Sequence, residues 1–213
     1  MSNFNELAES VISGNFGRVK EITQEMINKG VEPLQIINDG LIAGMNVVGV
    51  RFKAENMFVP EVMMSAKAMA GGMELVKPLI AETEMPSVGT VVLGTVKGDL
   101  HDIGKSLVAM ILESGGFKVI NLGTDIAPEG FIKAIREHKP QIVGMSALLT
   151  TTMLNMKATI ELLKEEGLRD QVKVIIGGAP VSQSFAEEIG ADGYGSDAMV
   201  AKDLCIKLVG KAS

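Results

Sequence analysis

A single change of hydrophobic rhythm constrains this chain more than any other feature. Before about residue 80 the apolar residues return every three or four positions, and from Val88 short β-branched runs alternate with helix-length segments. The first rhythm puts apolar side chains on one face of a helix; the second calls for a mostly parallel sheet with helices on both faces. Leu34, Ile37, Leu41, Met45 and Val48 keep the helical spacing, as do Val62, Ala66, Met69, Met73, Val76 and Ile80. Shorter patterns around Phe4, Leu7 and Val11, and around Val19, Ile22 and Met26, bring the expected bundle to four helices. Pro60 suits the first turn of the last helix, where a missing N–H costs nothing, and Glu61 suits the positive end of its dipole.

The acidic, proline-containing stretch Ala81–Ser87 is the expected linker, giving a helical cap at 1–85 and an α/β domain at 86–213. Expected strands cover Val91–Val96, Lys118–Leu122, Ile142–Ser146 and Val172–Ile176, with a short one near Tyr194. Helices are expected over Ile103–Glu113, Pro128–His138, Thr152–Glu166, Val181–Ile189 and Ala198–Val209. This fold class is α/β, and five strands in this rhythm favour the flavodoxin-like (Rossmann-like) order 2-1-3-4-5. Ligands of such open sheets bind beyond the carboxyl ends of the strands where the order reverses, so the loops after strands one and three should carry a site.

Composition removes several classes. Lys+Arg 20 against Asp+Glu 26 leaves a net charge of −6, and no basic stripe with interleaved aromatics exists, which argues against a nucleic-acid partner. The longest uncharged stretch, Pro140 to Met156, contains Gln141, Ser146, three threonines and Asn155, so no membrane span is expected. One cysteine, Cys205, and a start without a signal-like apolar region point to a reducing, cytoplasmic setting. Two histidines and one cysteine cannot assemble the usual structural zinc sets. Cys205 reads as a buried small hydrophobe and His138 as a surface or capping residue.

The loop after strand one reads Gly94-Thr95-Val96-Lys97-Gly98-Asp99-Leu100-His101-Asp102-Ile103-Gly104-Lys105-Ser106. Its end, Gly104-Lys105-Ser106, imitates a phosphate-binding loop, but the first glycine of that motif is replaced by Asp99, which would turn a negative charge toward the phosphates. No G-x-G-x-x-G occurs, and Met145 and Ser146 stand where a receiver domain would place its phosphoacceptor aspartate. What remains is Asp99 two residues before His101. An imidazole that binds metal through one nitrogen commonly donates its other N–H to a carboxylate. A solvated or capping pair would account for the spacing as well, and one ligand cannot hold a free ion; a metal that brings its own equatorial ligands needs only one.

Asp99-Leu100-His101-Asp102-Ile103-Gly104 resembles the D-x-H-x-x-G signature of the cobalamin-binding family, with Ser146-Ala147-Leu148 as its S-x-L and Gly177-Gly178 as its G-G. Phe52-Lys53-Ala54-Glu55-Asn56-Met57-Phe58-Val59-Pro60-Glu61 is similar to the helical cap preceding this module in methionine synthase and in free-standing corrinoid methyl carriers. The resemblance spans roughly residues 5 to 210. It implies a cobalamin (corrinoid) cofactor, cycling between cob(I)alamin and methylcobalamin, bound with its own base displaced. His101 would be the metal ligand and lower axial base, with Asp99 and Thr152 completing a hydrogen-bonded relay behind it. Gly98, Leu100, Asp102, Ile103, Gly104, Ser146, Leu148, Thr150, Gly177, Gly178 and Tyr194 would border the cofactor and its displaced tail. Phe52, Val59 and Val62 would stand over the reactive face, although Val62 suits bundle core equally.

The same resemblance implies a methyl-carrying subunit of a methyltransferase system, incomplete as an enzyme alone. Its partners would be a substrate:corrinoid methyltransferase, an acceptor methyltransferase using tetrahydrofolate or a thiol, and a reductive activator. The run Leu149-Thr150-Thr151-Thr152-Met153 looks more like the free-standing carriers than methionine synthase. Methylamines, methanol, methoxylated aromatics and quaternary amines all fit as methyl donors, and the motif resemblance leans slightly toward the methylamine type. Competing readings are a cobalamin-dependent sensor, the small subunit of an adenosylcobalamin isomerase, and a flavodoxin-like nucleotide binder that would leave the Asp99–His101 pair unexplained.

Overall fold

The computed structural model describes residues 3–80 and 87–210, and within them the chain forms two compact units dividing at Ser87/Val88, with Ser114–Gly116 grouped with the first. The expected linker at Ala81–Ser87 lies, except for Ser87, outside the described residues.

In the helical unit, α1 spans Asn3–Ile12, α2 Phe16–Asn28, α3 Pro33–Gln35, α4 Ala43–Lys53 and α5 Val59–Val76. The Asn15 side chain accepts the Arg18 N–H at 3.1 Å and starts α2, whereas Glu61 Oε2 accepts the Phe58 N–H at 2.8 Å and starts α5. Each satisfies a donor that the first turn leaves open. The third expected helix is a composite, in which α3 and α4 are joined by a π-helical segment, Ile36–Ile42. Gly40 and Gly44 face α1 there: an added Cβ would lie 2.5 Å from Leu7 Cδ2 and 2.7 Å from the Ala8 carbonyl oxygen, respectively. Close backbone approach is therefore part of the packing, with Leu7, Val11, Ile37, Leu41 and Val48 buried around it. The fourth helix stops at Val76 and tightens into a 3-10 turn at Lys77–Leu79, so the stripe ends before Ile80.

In the α/β unit five parallel strands stand in the order β2-β1-β3-β4-β5. They are β1 Gly89–Thr95, β2 Phe117–Asn121, β3 Ile142–Ser146, β4 Lys173–Gly177 and β5 Gly193–Gly195. Five helices accompany them: α6 Ile103–Ser114, α7 Pro128–His138, α8 Leu154–Glu165, α9 Gln183–Ile189 and α10 Ala198–Val209. Alternation along the strands sorts the core. Val92, Val143, Met145, Val174 and Ile176 face a layer containing Phe131, Ile160 and Phe185, while Val91, Leu93, Ile142 and Ile175 face Leu112 and Cys205.

Helices α8 and α9 begin two residues later than the sequence rhythm suggests. Ser182 caps α9 through the Phe185 N–H, and the Thr152 side chain is turned to another use described below. The register brings Thr95, Ser146, Gly177 and Gly195 into one row at the carboxyl edge of the sheet. The order reverses between β1 and β3, and the loops leaving those two strands meet there.

Candidate cofactor site

Immediately after β1 the chain makes a tight turn, with the Asp99 N–H donating to the Val96 carbonyl at 3.1 Å and Gly98 at φ 80°. A turn of this type needs a positive φ at its third residue, which glycine adopts freely. The turn drives Asp99 beneath the sheet edge, where it is completely buried. One carboxylate oxygen accepts the His101 backbone N–H at 3.1 Å and faces His101 Nδ1 at 2.7 Å. The other accepts the Leu148 N–H at 2.7 Å, the Leu149 N–H at 3.3 Å and the Thr152 hydroxyl at 2.6 Å. A carboxylate has about four lone-pair positions, so Asp99 is saturated by groups of this chain.

Burial alone would raise the Asp99 carboxyl, but the donors from Thr152, Leu148 and His101 outweigh it and hold it well below the usual carboxylate range. An ionised carboxylate only accepts, so His101 Nδ1 carries the proton and the neutral ring keeps its lone pair on Nε2. The His101 side chain is 52% exposed, and Nε2 meets no partner among the described residues. Its backbone is pinned as well, since Thr95 Oγ1 donates to the His101 carbonyl at 2.9 Å.

Several large apolar side chains are exposed on the loops of the same sheet edge. Leu100 is 73% exposed, Ile103 83% and Leu154 60%, and Leu148 and Leu149 are also exposed. Exposed apolar residues gathered on the loops of one sheet edge mark a surface that receives an apolar partner or ligand. Gly104 opens onto free space, with nothing within 4 Å of a Cβ added there. Asp102 is held low by its hydrogen bonds from Lys105 and Ser106. The Lys105 side chain is buried and joins Asp102 at 2.5 Å to Asn121 at 2.6 Å.

Other anticipated residues distribute unevenly. Ser146 is half-buried and Thr150 exposed, both next to the loop that supplies Leu148. Gly178 lies close to the chain's own backbone. At φ 124°, a Cβ would lie 1.8 Å from the Ala147 carbonyl oxygen, so this glycine makes room for the chain's own backbone. Gly177 is similarly confined by the Gly195 carbonyl at 3.0 Å. Tyr194 packs against the α7–α9 side of the core. In the helical unit Phe52 is half-buried and Val59 exposed, whereas Val62 is 3% exposed on the stripe it shares with Ala66 and Met69. Core packing accounts for Val62. Sequence reasoning missed the backbone donors of Leu148 and Leu149, which have no side-chain signature. It also missed Asp125 in the loop after β2, whose bond to the Gly98 N–H spans 27 residues and leaves no local pattern.

A half-exposed imidazole, backed by a buried carboxylate at the switch point of a flavodoxin-like sheet, is an arrangement suited to binding a metal-bearing cofactor. Among the described residues no three His, Cys, Asp or Glu side chains gather to hold a bare ion. A B12 binding domain model matches residues 89–202, and a second model, also for a B12 binding domain, matches residues 4–77. A corrinoid protein of Desulfitobacterium hafniense is 45% identical over 214 residues, covering 99% of both chains. The dimethylamine corrinoid protein of Methanosarcina barkeri is 47% identical over 197 residues, covering 92% of each. The methanol:cobalamin methyltransferase complex of Methanosarcina barkeri contains a chain similar in structure at TM-score 0.89 and 33% identity, covering 98% of this chain and 80% of that one. The chain belongs to the B12-binding corrinoid proteins, and its cofactor is a corrinoid.

Proposed function

We propose that this protein carries a methyl group between two methyltransferases, on a corrinoid whose lower axial base is His101 Nε2. When bound, the cofactor supplies a cobalt centre able to accept and release a methyl group; the chain binds it, orients it and manages the proton of its axial base. The observation that carries the reading is the Asp99 carboxylate, which keeps the proton on Nδ1 and the lone pair on Nε2. Backing of this kind raises the basicity of an imidazole ligand and fixes its orientation. Thr152, by donating to the far oxygen of Asp99, moderates how much negative charge reaches the ring.

Exposed Leu100, Ile103, Leu148 and Leu154 would supply apolar contact for the cofactor, and the open space at Gly104 would leave room for it. Gly98 and Asp102 shape the turn on either side of the ligand. The names of the relatives support methylamines as the donor class, with methanol the alternative raised by the structural neighbour. One partner loads the methyl group, a second delivers it to tetrahydrofolate or a thiol, and a reductive activator restores the cofactor.

The test is the visible spectrum of the protein mixed with hydroxocobalamin, beside a His101→Ala variant. Wild type should show imidazole ligation with the cofactor's own base off, and the variant should lose that signature. Binding with an unchanged spectrum in the variant would refute His101 as the ligand.

A further inference from the structure

The loop after β2 carries a residue that the site has no obvious need of. Asp125 sits at φ 57°, in the left-handed region that aspartate and asparagine tolerate better than other side chains. From there it makes two reciprocal bonds to the turn that bears the relay. Its Oδ1 accepts the Gly98 N–H at 2.7 Å, and its own N–H donates to the Asp99 carbonyl at 3.0 Å. Gly98 and Asp99 are the last two residues of the Val96–Asp99 turn, so Asp125 grips that turn at both of its polar faces. The other end of the same loop is tied independently: Asn121 Oδ1 accepts from Lys105 Nζ at 2.6 Å and from the Gly123 N–H at 3.0 Å. Two tethers therefore bracket His101, one before it at Gly98 and one after it at Lys105.

We propose that Asp125 is a positioning residue that fixes the turn carrying Asp99 and thereby the direction in which His101 presents Nε2. The inference rests on the reading of His101 as the axial ligand, and acts through the turn, since the hydrogen bonds of Asp125 go to Gly98 and Asp99. Two properties of the side chain are required together. One is an acceptor aimed at Gly98, and the other is tolerance of positive φ, without which the Asp125 N–H turns away from Asp99. Asparagine retains both, glycine only the second, alanine neither.

The experiment compares wild type, Asp125→Asn, Asp125→Gly and Asp125→Ala. Two quantities are read: exchange of the His101 Nδ1 proton by imidazole NMR on protein without added corrinoid, and the Kd and axial-ligation spectrum with hydroxocobalamin. Removing an outer partner of a metal ligand typically costs about 10- to 100-fold in affinity. Asp125→Ala should bind about tenfold more weakly and exchange the Nδ1 proton at least tenfold faster. Asp125→Asn should stay within about twofold of wild type, and Asp125→Gly should fall between them. An alanine variant indistinguishable from wild type in either quantity overturns the proposal. So does a glycine variant equal to the asparagine one, which also decides the matter should the alanine variant fail to fold. Wild type binding without imidazole ligation would instead sink the His101 reading, while proton exchange still reports whether Asp125 holds the ring.

Discussion

Replacing Thr152 by valine removes one hydroxyl and keeps the side chain's shape. The hydroxyl donates to Asp99 at 2.6 Å and also lies 3.0 Å from the Leu149 carbonyl; its single proton goes to the charged acceptor. Thr152 is 7% exposed, so water does not replace the lost donor. A hydrogen bond to a charged group contributes roughly 1.5–3 kcal/mol, and burying a methyl in place of the hydroxyl returns about 0.8 kcal/mol. A net loss of about 1–2 kcal/mol follows. Urea unfolding of Thr152→Val and wild type at pH 7, with unchanged m-values, measures it. The loss should also depend on pH with a definite sign. Because the donors hold Asp99 below its ordinary value, their stabilisation is fully present above the ordinary carboxylate range, near pH ~4. It disappears as the pH falls through the folded-state value, so the gap between the two proteins should narrow in acid. A difference below about 0.5 kcal/mol at pH 7, or one that persists undiminished after Asp99 is protonated, would refute the assignment of the Thr152 proton.

Gly178→Ala should be the most damaging of the small substitutions, because its Cβ would sit 1.8 Å from the Ala147 carbonyl oxygen. A loss of about 3 kcal/mol or more, or failure to accumulate as folded protein, is expected in thermal melting. Gly104→Ala should behave in the opposite way, leaving the melting temperature of the unloaded protein unchanged and weakening corrinoid binding; equal affinity would mean the space there serves no ligand. Burial pushes the Cys205 thiol up to about 12, so it should resist a thiol reagent at pH 8 until the protein unfolds, and rapid labelling of folded protein would contradict its placement.

Fold and site differed in how plainly the sequence displayed them. The alternation of strands and helices and the Asp99–His101 pair were legible because they depend on local rhythm and on a spacing of two residues. The π-helical segment was not: Ile37, Leu41 and Met45 repeat as any helix would, and the close approach of Gly40 and Gly44 to α1 is a tertiary event. Val62 shows the same limit from the other side, since an apolar residue on an amphipathic helix looks alike whether it meets a ligand or its own core. The Ala147 carbonyl beside Gly178 is likewise invisible in a Gly-Gly pair, because that contact is tertiary. Asp125 lies 27 residues from the amide it receives, and no periodicity connects the two.

All five donors to Asp99 are atoms of this chain, so no ligand atom is needed to complete the arrangement that aims Nε2 outward. Ordering these hydrogen bonds is a cost met when the chain folds, so none of the free energy of cofactor binding is spent on it.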